Sequence, residues 1–353
     1  MNHSGISGAL MDFADVLVGH SRGGLAQVNV LLSALMGGIS GSANADAAMQ
    51  SKILVPEMEK KGFSLPFSAA ITAASSAISP VIPPGTNLIL YALIANVAVG
   101  DMFLAAYMPG ILMAVALMIA VRIISVKRNY QPSRERISSF GEIFRQFLKS
   151  IWALFIPFGI IMGMRFGIFT PTEAGGVAVL FSTIVGFFVY KELKLKHIPE
   201  ILMDTVKGTG AVMAIIASAK VFGYYLTLER IPQMITGFLV NMTDSAIVLL
   251  LVINLLLLFV GMFLEGGAAL VILAPLLVPA VKTFGIDPLH FGMIFIVNIM
   301  IGGLTPPFGS MMFTVCSIVD VKLEDFIKEV WPFIGALMIV LLAITYSESV
   351  ALF

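Results

Sequence analysis

Small polar residues interrupt four otherwise apolar stretches of the sequence. Residues 40–46 read Ser-Gly-Ser-Ala-Asn-Ala-Asp, residues 79–85 read Ser-Pro-Val-Ile-Pro-Pro-Gly, residues 265–267 read Glu-Gly-Gly, and residues 302–307 read Gly-Gly-Leu-Thr-Pro-Pro. In an apolar environment, backbone can leave the helix only where protein or water satisfies its freed N–H and C=O groups. We therefore expect the four interruptions to line a cavity. Unwound carbonyls there suit a hard cation such as sodium, and helix N-termini suit a carboxylate.

The candidate ligands are hydroxyl, amide and backbone groups at these interruptions. For an anionic polar solute we expect Ser42, Asn44, Thr86, Asn87 and Ser310. For sodium we expect sites near Ser40, Ser75, Ser76, Ser79, Asn298, Gly302, Gly303 and Thr305. The competing interpretation is that serine and glycine only let membrane helices approach closely. A single serine fits either interpretation, whereas the clustering favours binding.

Two charged residues remain ambiguous at the level of sequence. Glu265 stands at an expected hairpin tip, where it is either solvated or functional. Lys220 lies within the apolar stretch 209–228, where a charge is costly. Lys220 could meet an anionic solute, extend to the membrane interface or pair at a subunit contact.

The composition places these residues in a polytopic membrane protein. Of 353 residues, 58% are hydrophobic and 12% are charged, against roughly 45–50% and about 25% in soluble domains. Twenty-one basic residues balance twenty-one acidic ones, which excludes a basic face for nucleic acid. One cysteine, Cys316, excludes a disulfide framework. No nucleotide-binding loop or catalytic triad is recognisable, so we expect no enzyme and no cofactor beyond a coupling ion.

Residues 25–121 and 246–346 form an internal repeat. At a constant offset of 223, without a gap, Gly38 meets Gly261, Pro83-Pro84 meets Pro306-Pro307, and Pro109 meets Pro332. Each repeat is expected to contain a re-entrant hairpin (25–58 and 246–281), a broken helix (63–98 and 286–319) and a full span (102–121 and 326–346). Residues 122–245 supply a basic loop and scaffold spans, among them 151–169, 172–190 and 209–228.

Basic residues predict the orientation of the repeats. They concentrate in 122–149 and 191–207, which indicates that both loops are cytoplasmic. The first repeat is then anchored inside and the second outside. Such an inverted-topology pair, in an all-α membrane protein, places solute and ion sites at the repeat interface near the midplane.

The chain resembles the large, DctM-like membrane subunit of tripartite ATP-independent periplasmic (TRAP) transporters. The resemblance rests on the segments 19–25, 40–46, 73–76, 80–84, 167–174 and 304–307, which occur in the order typical of that family. It implies an elevator-type, sodium-driven importer in the bacterial inner membrane. It further implies a small four-helix membrane subunit and a periplasmic solute-binding protein that delivers a dicarboxylate, keto acid or acidic sugar. The sodium sites are implied where the hairpins meet the two breaks.

Two departures from the family and two alternative functions belong to this interpretation. The family normally has further spans before the Gly-His motif, whereas only 18 residues precede Gly19, so residues 1–24 are expected to be an interfacial helix or the remnant of a longer protein. Lys220 replaces an expected small or apolar residue.

Two alternative functions remain beside the TRAP-type importer. They are a stand-alone ion-coupled anion transporter of the same architecture, and a membrane scaffold subunit without transport of its own.

Overall fold

The computed structural model describes residues 5–348, and every regular element in that range is helical. In chain order the α-helices are α1 (Ile6–Val18), α2 (Gly24–Ser40), α3 (Ala43–Lys60), α4 (Leu65–Ser76), α5 (Thr86–Ala95), α6 (Val99–Lys127), α7 (Phe140–Arg165), α8 (Pro171–Ile184), α9 (Ile198–Leu228), α10 (Ile231–Met242), α11 (Ala246–Phe263), α12 (Gly266–Thr283), α13 (Pro288–Gly302), α14 (Ser310–Val319) and α15 (Leu323–Tyr346). A π-helical turn (Val185–Val189) extends α8, and a short 3₁₀ turn (Leu195–His197) precedes α9.

Helices α2–α6 and α11–α15 repeat one order of elements. We call α2–α3 hairpin 1 and α11–α12 hairpin 2; residues 77–85 are break 1, and residues 303–309 are break 2. Helices α3 and α12 begin 223 residues apart, at Ala43 and Gly266, but α5 and α14 begin 224 apart, at Thr86 and Ser310. The additional residue is Phe308, because Pro84 is followed directly by Gly85 whereas Phe308 separates Pro307 from Gly309. The expected gap-free alignment is therefore offset by one residue from the paired prolines to the starts of α6 and α15, and it returns to 223 at Pro109 and Pro332.

Local sequence explains where the hairpins turn. Gly41 adopts a left-handed φ of 60°, and a Cβ atom there would lie 2.9 Å from the carbonyl oxygen of Pro84. The Ser42 side chain then accepts a hydrogen bond from the Ala45 N–H and caps α3. In hairpin 2 the carboxylate of Glu265 caps α12, accepting from the Gly267 N–H at 2.9 Å. Each turn therefore combines a chain reversal with a side chain that satisfies the first N–H groups of the next helix.

The two hairpins open toward opposite ends of the helix packing. Hairpin 1 has its base beside the end of α6, where the Phe63 and Tyr130 rings lie 4.5 Å apart. The base of hairpin 2 shares a pocket with Thr345 near the end of α15. An ion pair of 2.8 Å between Arg128 and Glu329 joins the end of α6 to the first turns of α15. Because α6 and α15 therefore run in opposite directions, the two bases lie far apart while the two tips meet.

The core surrounds α4 and α13, which are buried on all sides. Every residue from Phe67 to Ser76 and from His290 to Gly302 is buried. A second cluster packs α1 against α2 and α7, with Ile6 and Leu10 fully buried. An ion pair of 2.6 Å between Asp15 and Arg134 fixes the end of α1 to the loop after α6. Ile6–Val18 is thus a packed helix, and residues 1–4 of the expected N-terminal segment lie outside the described range.

Within residues 5–348, six helical stretches are long and apolar enough to cross a membrane: Val99–Lys127, Thr172–Val189, Leu195–Leu228, Ala246–Phe263, Gly266–Thr283 and Leu323–Tyr346. They include both arms of hairpin 2, which qualify by length and composition alone. In the apolar part of Leu195–Leu228, only 7% of the residues are buried against the rest of the described chain. Such an apolar, unburied surface needs lipid or another protein around it.

Candidate functional site

The two hairpin tips and the two breaks enclose one polar cavity. Its volume is about 40 Å³, more than the roughly 10–15 Å³ that is needed to hold one water molecule. All five residues expected to bind the solute line this cavity: Ser42, Asn44, Thr86, Asn87 and Ser310. The structure therefore brings together side chains from hairpin 1, α5 and α14 that the sequence separates by up to 268 positions (310 − 42).

Four helices begin at this cavity and direct their N-termini to it. They are α3, α5, α12 and α14, and all contain ten residues or more. Ser42 and Glu265 cap α3 and α12, but no side chain caps α5 or α14, whose N-cap residues are Gly85 and Gly309. At the start of α14 the Met311 N–H donates to the Gly303 carbonyl oxygen at 3.1 Å. The other first-turn N–H groups and the positive end of the helix dipole form a site that favours an anion.

Contacts around the cavity join both hairpin tips to the start of α5. Thr86 Oγ1 donates a hydrogen bond of 3.3 Å to the carbonyl oxygen of Gly41 at the tip of hairpin 1. The tip of hairpin 2 packs on Asn87, since a Cβ atom at Gly266 would lie 2.8 Å from Asn87 Nδ2. A larger residue at this position would displace the Asn87 amide where hairpin 2 closes over it.

Glu265 is the one charged side chain among the described residues that line the cavity. It is exposed, and its Oε2 atom accepts from the Gly267 N–H. Its negative charge offsets the N-terminus of α12, which leaves the uncapped starts of α5 and α14 as the electropositive side of the cavity. Lys220 does not line this cavity; it lies in a separate groove beside α5 and α12.

Most residues expected near sodium at break 1 take part in local hydrogen bonds. Ser75 Oγ donates to Asn29 Oδ1 at 2.6 Å, and Ser76 Oγ donates to the Ala73 carbonyl oxygen at 2.8 Å. Ser79 differs, because its hydroxyl is buried and has no hydrogen-bond partner among the described residues. The side chain of Ser40 lies outside what the structure describes.

A comparable set of residues lies in α13 and in break 2. Asn298 Nδ2 donates to Asn254 Oδ1 at 2.8 Å, while Asn298 Oδ1 is buried without a partner among the described residues. Thr305 Oγ1 donates to the Ile301 carbonyl oxygen at 2.7 Å. Gly303 lines the polar cavity, and Gly302 packs on Gly261 of hairpin 2.

Ser79 Oγ in break 1 and Asn298 Oδ1 in α13, five residues before break 2, are therefore buried oxygens without a partner among the described residues. Buried polar atoms in native proteins almost always have partners, so these two oxygens are free to bind a ligand. Neutral hydroxyl, amide and carbonyl oxygens are the donor set expected for a weakly bound hard cation.

Asp46 is a buried acid that the sequence did not single out as a site residue. Ser33 Oγ and Gln50 Nε2 donate to its Oδ2 atom at 2.7 and 2.9 Å, which ties α2 to α3 within hairpin 1. Its Oδ1 atom has no partner among the described residues. In the sequence, Asp46 stands one helical turn before Gln50, in a helix that follows the apolar helix α2. This spacing alone does not show that the Asp46 side chain is buried.

Comparison with known proteins assigns the family. The sequence profile described as "Tripartite ATP-independent periplasmic transporter, DctM component" matches residues 1–350. The chain belongs to this family. The sialic acid TRAP transporter large permease protein SiaM of Vibrio cholerae is 40% identical over 343 residues, which are 97% of this chain and 79% of the relative. This confirms the resemblance predicted from the sequence motifs.

Two further relatives have names that specify other acids. The 2,3-diketo-L-gulonate TRAP transporter large permease protein YiaN of Escherichia coli is 35% identical, with 98% of this chain and 81% of the relative covered. The C4-dicarboxylate TRAP transporter large permease protein DctM of Pseudomonas aeruginosa is 36% identical, with 100% and 82% covered. The chain is accordingly a TRAP-type large permease, a multi-pass protein of the bacterial inner membrane and not an enzyme.

Proposed function

We propose that this permease translocates an organic acid, of the dicarboxylate, keto acid or acidic sugar type, in a sodium-coupled importer that depends on a binding protein. The observation that carries the proposal is the convergence of four helix N-termini on one cavity lined by hydroxyl and amide groups. Fixed N–H dipoles stabilise a carboxylate without requiring a buried basic side chain. The acids in the names of the three relatives agree with this solute class.

Sodium coupling is supported by the two unpaired oxygens. Ser79 Oγ in break 1 and Asn298 Oδ1 in α13 are buried and neutral, and we place the sodium sites beside them. A sodium ion bound to these oxygens would help hold each break in the arrangement that forms the cavity. Solute and sodium would then bind cooperatively, because each stabilises the arrangement that the other requires.

An inverted repeat and elevator movement are supported by the opposed bases of the hairpins and their meeting tips. The cavity of about 40 Å³ is far smaller than the roughly 300 Å³ expected of a pocket for a small organic ligand. A hairpin tip must therefore move to admit the solute. In the proposed mechanism the hairpins and broken helices form a transport domain, which slides against a scaffold that includes α7–α10.

The partners follow from the tripartite nature of the family. We propose that a small four-helix membrane subunit covers apolar faces of the scaffold and that a periplasmic binding protein delivers the solute. Exposed apolar residues on the scaffold support a lateral partner, for example Phe155 on α7, Leu180 on α8 and Val221 on α9, which are 56%, 66% and 73% exposed.

Uptake into proteoliposomes tests the proposal. The chain is reconstituted with its small membrane subunit and binding protein, and acidic solutes are offered with and without an inward sodium gradient. Uptake that requires both sodium and the binding protein is expected. Sodium-driven uptake without the binding protein would instead support the stand-alone transporter. Intact uptake by folded Ser42→Ala and Thr305→Ala variants would contradict a role for these breaks and support the scaffold alternative.

A further inference from the structure

Lys220 lies in an apolar groove between α9 and the elements that surround the polar cavity. The groove has a volume of about 340 Å³, which is within the range of ligand pockets. Besides Lys220, its walls are apolar and come from three helices: Leu90, Leu93 and Ile94 of α5, Val271 and Pro275 of α12, and Ile216 of α9. The groove therefore combines a hydrophobic trough with one cationic group.

No acidic side chain among the described residues pairs with Lys220. A charge inside an apolar spanning helix is costly unless it meets a counter-ion or reaches the interface. The solute is not that counter-ion, because Lys220 does not line the polar cavity. The lysine and the apolar walls together therefore match an anion that also carries apolar surface.

The depth of the groove can be derived from helix geometry. Leu90 and Ile94 lie four and eight residues after the start of α5 at the cavity, which is about 6–12 Å along the helix. Val271 and Pro275 lie five and nine residues after the start of α12, about 8–14 Å away on the side toward which hairpin 2 opens. With the cavity at the midplane of a bilayer core about 30 Å thick, the groove occupies one leaflet just below its headgroups.

Lys220 shares the depth of the groove, because it lines the groove together with Leu90 and Val271. It lies in α9, eight residues before the end of the helix at Leu228. A lysine at that level extends its flexible stem to bring the ammonium group to the headgroup region. In the orientation predicted from the basic loops, this leaflet is the outer one.

We propose that the groove binds one anionic phospholipid of the outer leaflet, with an acyl chain along α5 and α12 and its phosphate against Lys220. The concave shape favours a chain over a helix of the small membrane subunit, because a helix about 10 Å across does not fit a groove of this size. Bound there, the lipid fills the contact between α9 and hairpin 2. The site itself does not depend on which solute is transported.

Lipid titration of the purified complex with its small membrane subunit tests the proposal. After delipidation, the midpoint of thermal unfolding is followed against dioleoylphosphatidylglycerol and against dioleoylphosphatidylcholine, which have the same acyl chains. Half-saturation is expected at a roughly fivefold lower concentration of the anionic lipid. Lys220→Arg should retain this preference and Lys220→Gln should abolish it, while Lys207→Gln, on an exposed position of the same helix, should retain it.

Two further arms separate the lipid from other anions. Leu93→Trp fills the groove and is expected to weaken binding of both lipids, whereas glycerol 1-phosphate, which lacks acyl chains, should not stabilise the complex. Stabilisation by glycerol phosphate equal to that by the lipid would overturn the proposal. An unchanged lipid preference in Lys220→Gln would also overturn the proposal. If that variant in addition loses the small membrane subunit, the groove binds a protein partner instead of a lipid.

Discussion

Thr314 Oγ1 lies 3.5 Å from Asn44 Oδ1, although the two residues are 270 positions apart, while its hydroxyl donates to the Ser310 carbonyl oxygen at 2.9 Å. Asn44 lies in the first turn of α3, at the tip of hairpin 1, and Thr314 lies in α14 after break 2. A movement of either element changes this contact at the cavity wall. A solute that binds Asn44 is thereby linked to the broken helix of the other half of the chain.

Replacing Asn44 should impair transport without unfolding the protein. Asn44→Ala removes an amide from the cavity wall and is expected to lower uptake by about tenfold, the value for a lost hydrogen bond to a charged group. Initial uptake rates at saturating sodium provide the measurement. Asn241→Ala, on the exposed surface of α10, is the matched control and should transport normally. Normal rates in Asn44→Ala would remove this residue from the binding site.

The Ser79→Ala variant tests whether Ser79 is a sodium ligand or a structural serine. If the unpaired hydroxyl binds no ion, Ser79→Ala should stabilise the protein and leave transport unchanged. If the hydroxyl binds sodium, the concentration of sodium for half-maximal uptake should rise by about tenfold. The sodium dependence of uptake distinguishes the two outcomes. Ser68→Ala is the control, because the Ser68 hydroxyl is buried but donates to the Ser64 carbonyl oxygen at 3.1 Å.

The contact between hairpin 2 and break 2 depends on paired glycines. A Cβ atom at Gly302 would lie 2.7 Å from the Cα atom of Gly261, so Gly302→Ala forces two backbones apart. We expect destabilisation by about 1–3 kcal/mol and loss of uptake. Thermal unfolding of the purified protein measures the first effect. Gly335→Ala in α15, where a Cβ meets nothing within 4 Å, should be neutral or slightly stabilising.

Asp46 is expected to hold hairpin 1 together. Asp46→Ala leaves the Ser33 hydroxyl and the Gln50 amide without their buried acceptor, at a cost of about 1–3 kcal/mol. Asp46→Asn keeps one oxygen acceptor and should recover part of this loss. Unfolding midpoints of both variants test the ranking, with the exposed Asp244→Ala as the control. Equal stability of Asp46→Ala and the unmodified protein would contradict it.

Glu265 should influence which acids the cavity accepts. Glu265→Gln retains an oxygen that can cap Gly267 but removes the negative charge from the wall. A second carboxylate on the solute then meets less repulsion, and we expect competition by a dicarboxylate to strengthen about threefold relative to a hydroxylated monocarboxylate. Competition against uptake of the identified solute measures this ratio. The exposed Glu229→Gln serves as the control, and a ratio that stays constant in Glu265→Gln would place its charge away from the solute.

Much of the architecture followed from local chemistry in the sequence. Glycine, proline and serine at residues 40–46 and 79–85 cannot continue an apolar helix, so interruptions were predictable there. The matched prolines at 83–84 and 306–307 indicated that these interruptions recur. The role of Phe308 as an additional residue was not evident, because sequence matches do not record where the next helix begins.

The sequence by itself determined that this protein is a helical membrane protein with polar breaks, because hydropathy and helix-breaking residues are local properties of the chain, and its motifs predicted the permease family. It also predicted five of the residues that line the cavity. Only the tertiary structure decided that four helix N-termini meet there, that Lys220 faces a separate groove and that Asp46 is buried. These features depend on packing between segments distant in sequence, since burial and the direction of a helix end are set by neighbours that no local pattern specifies.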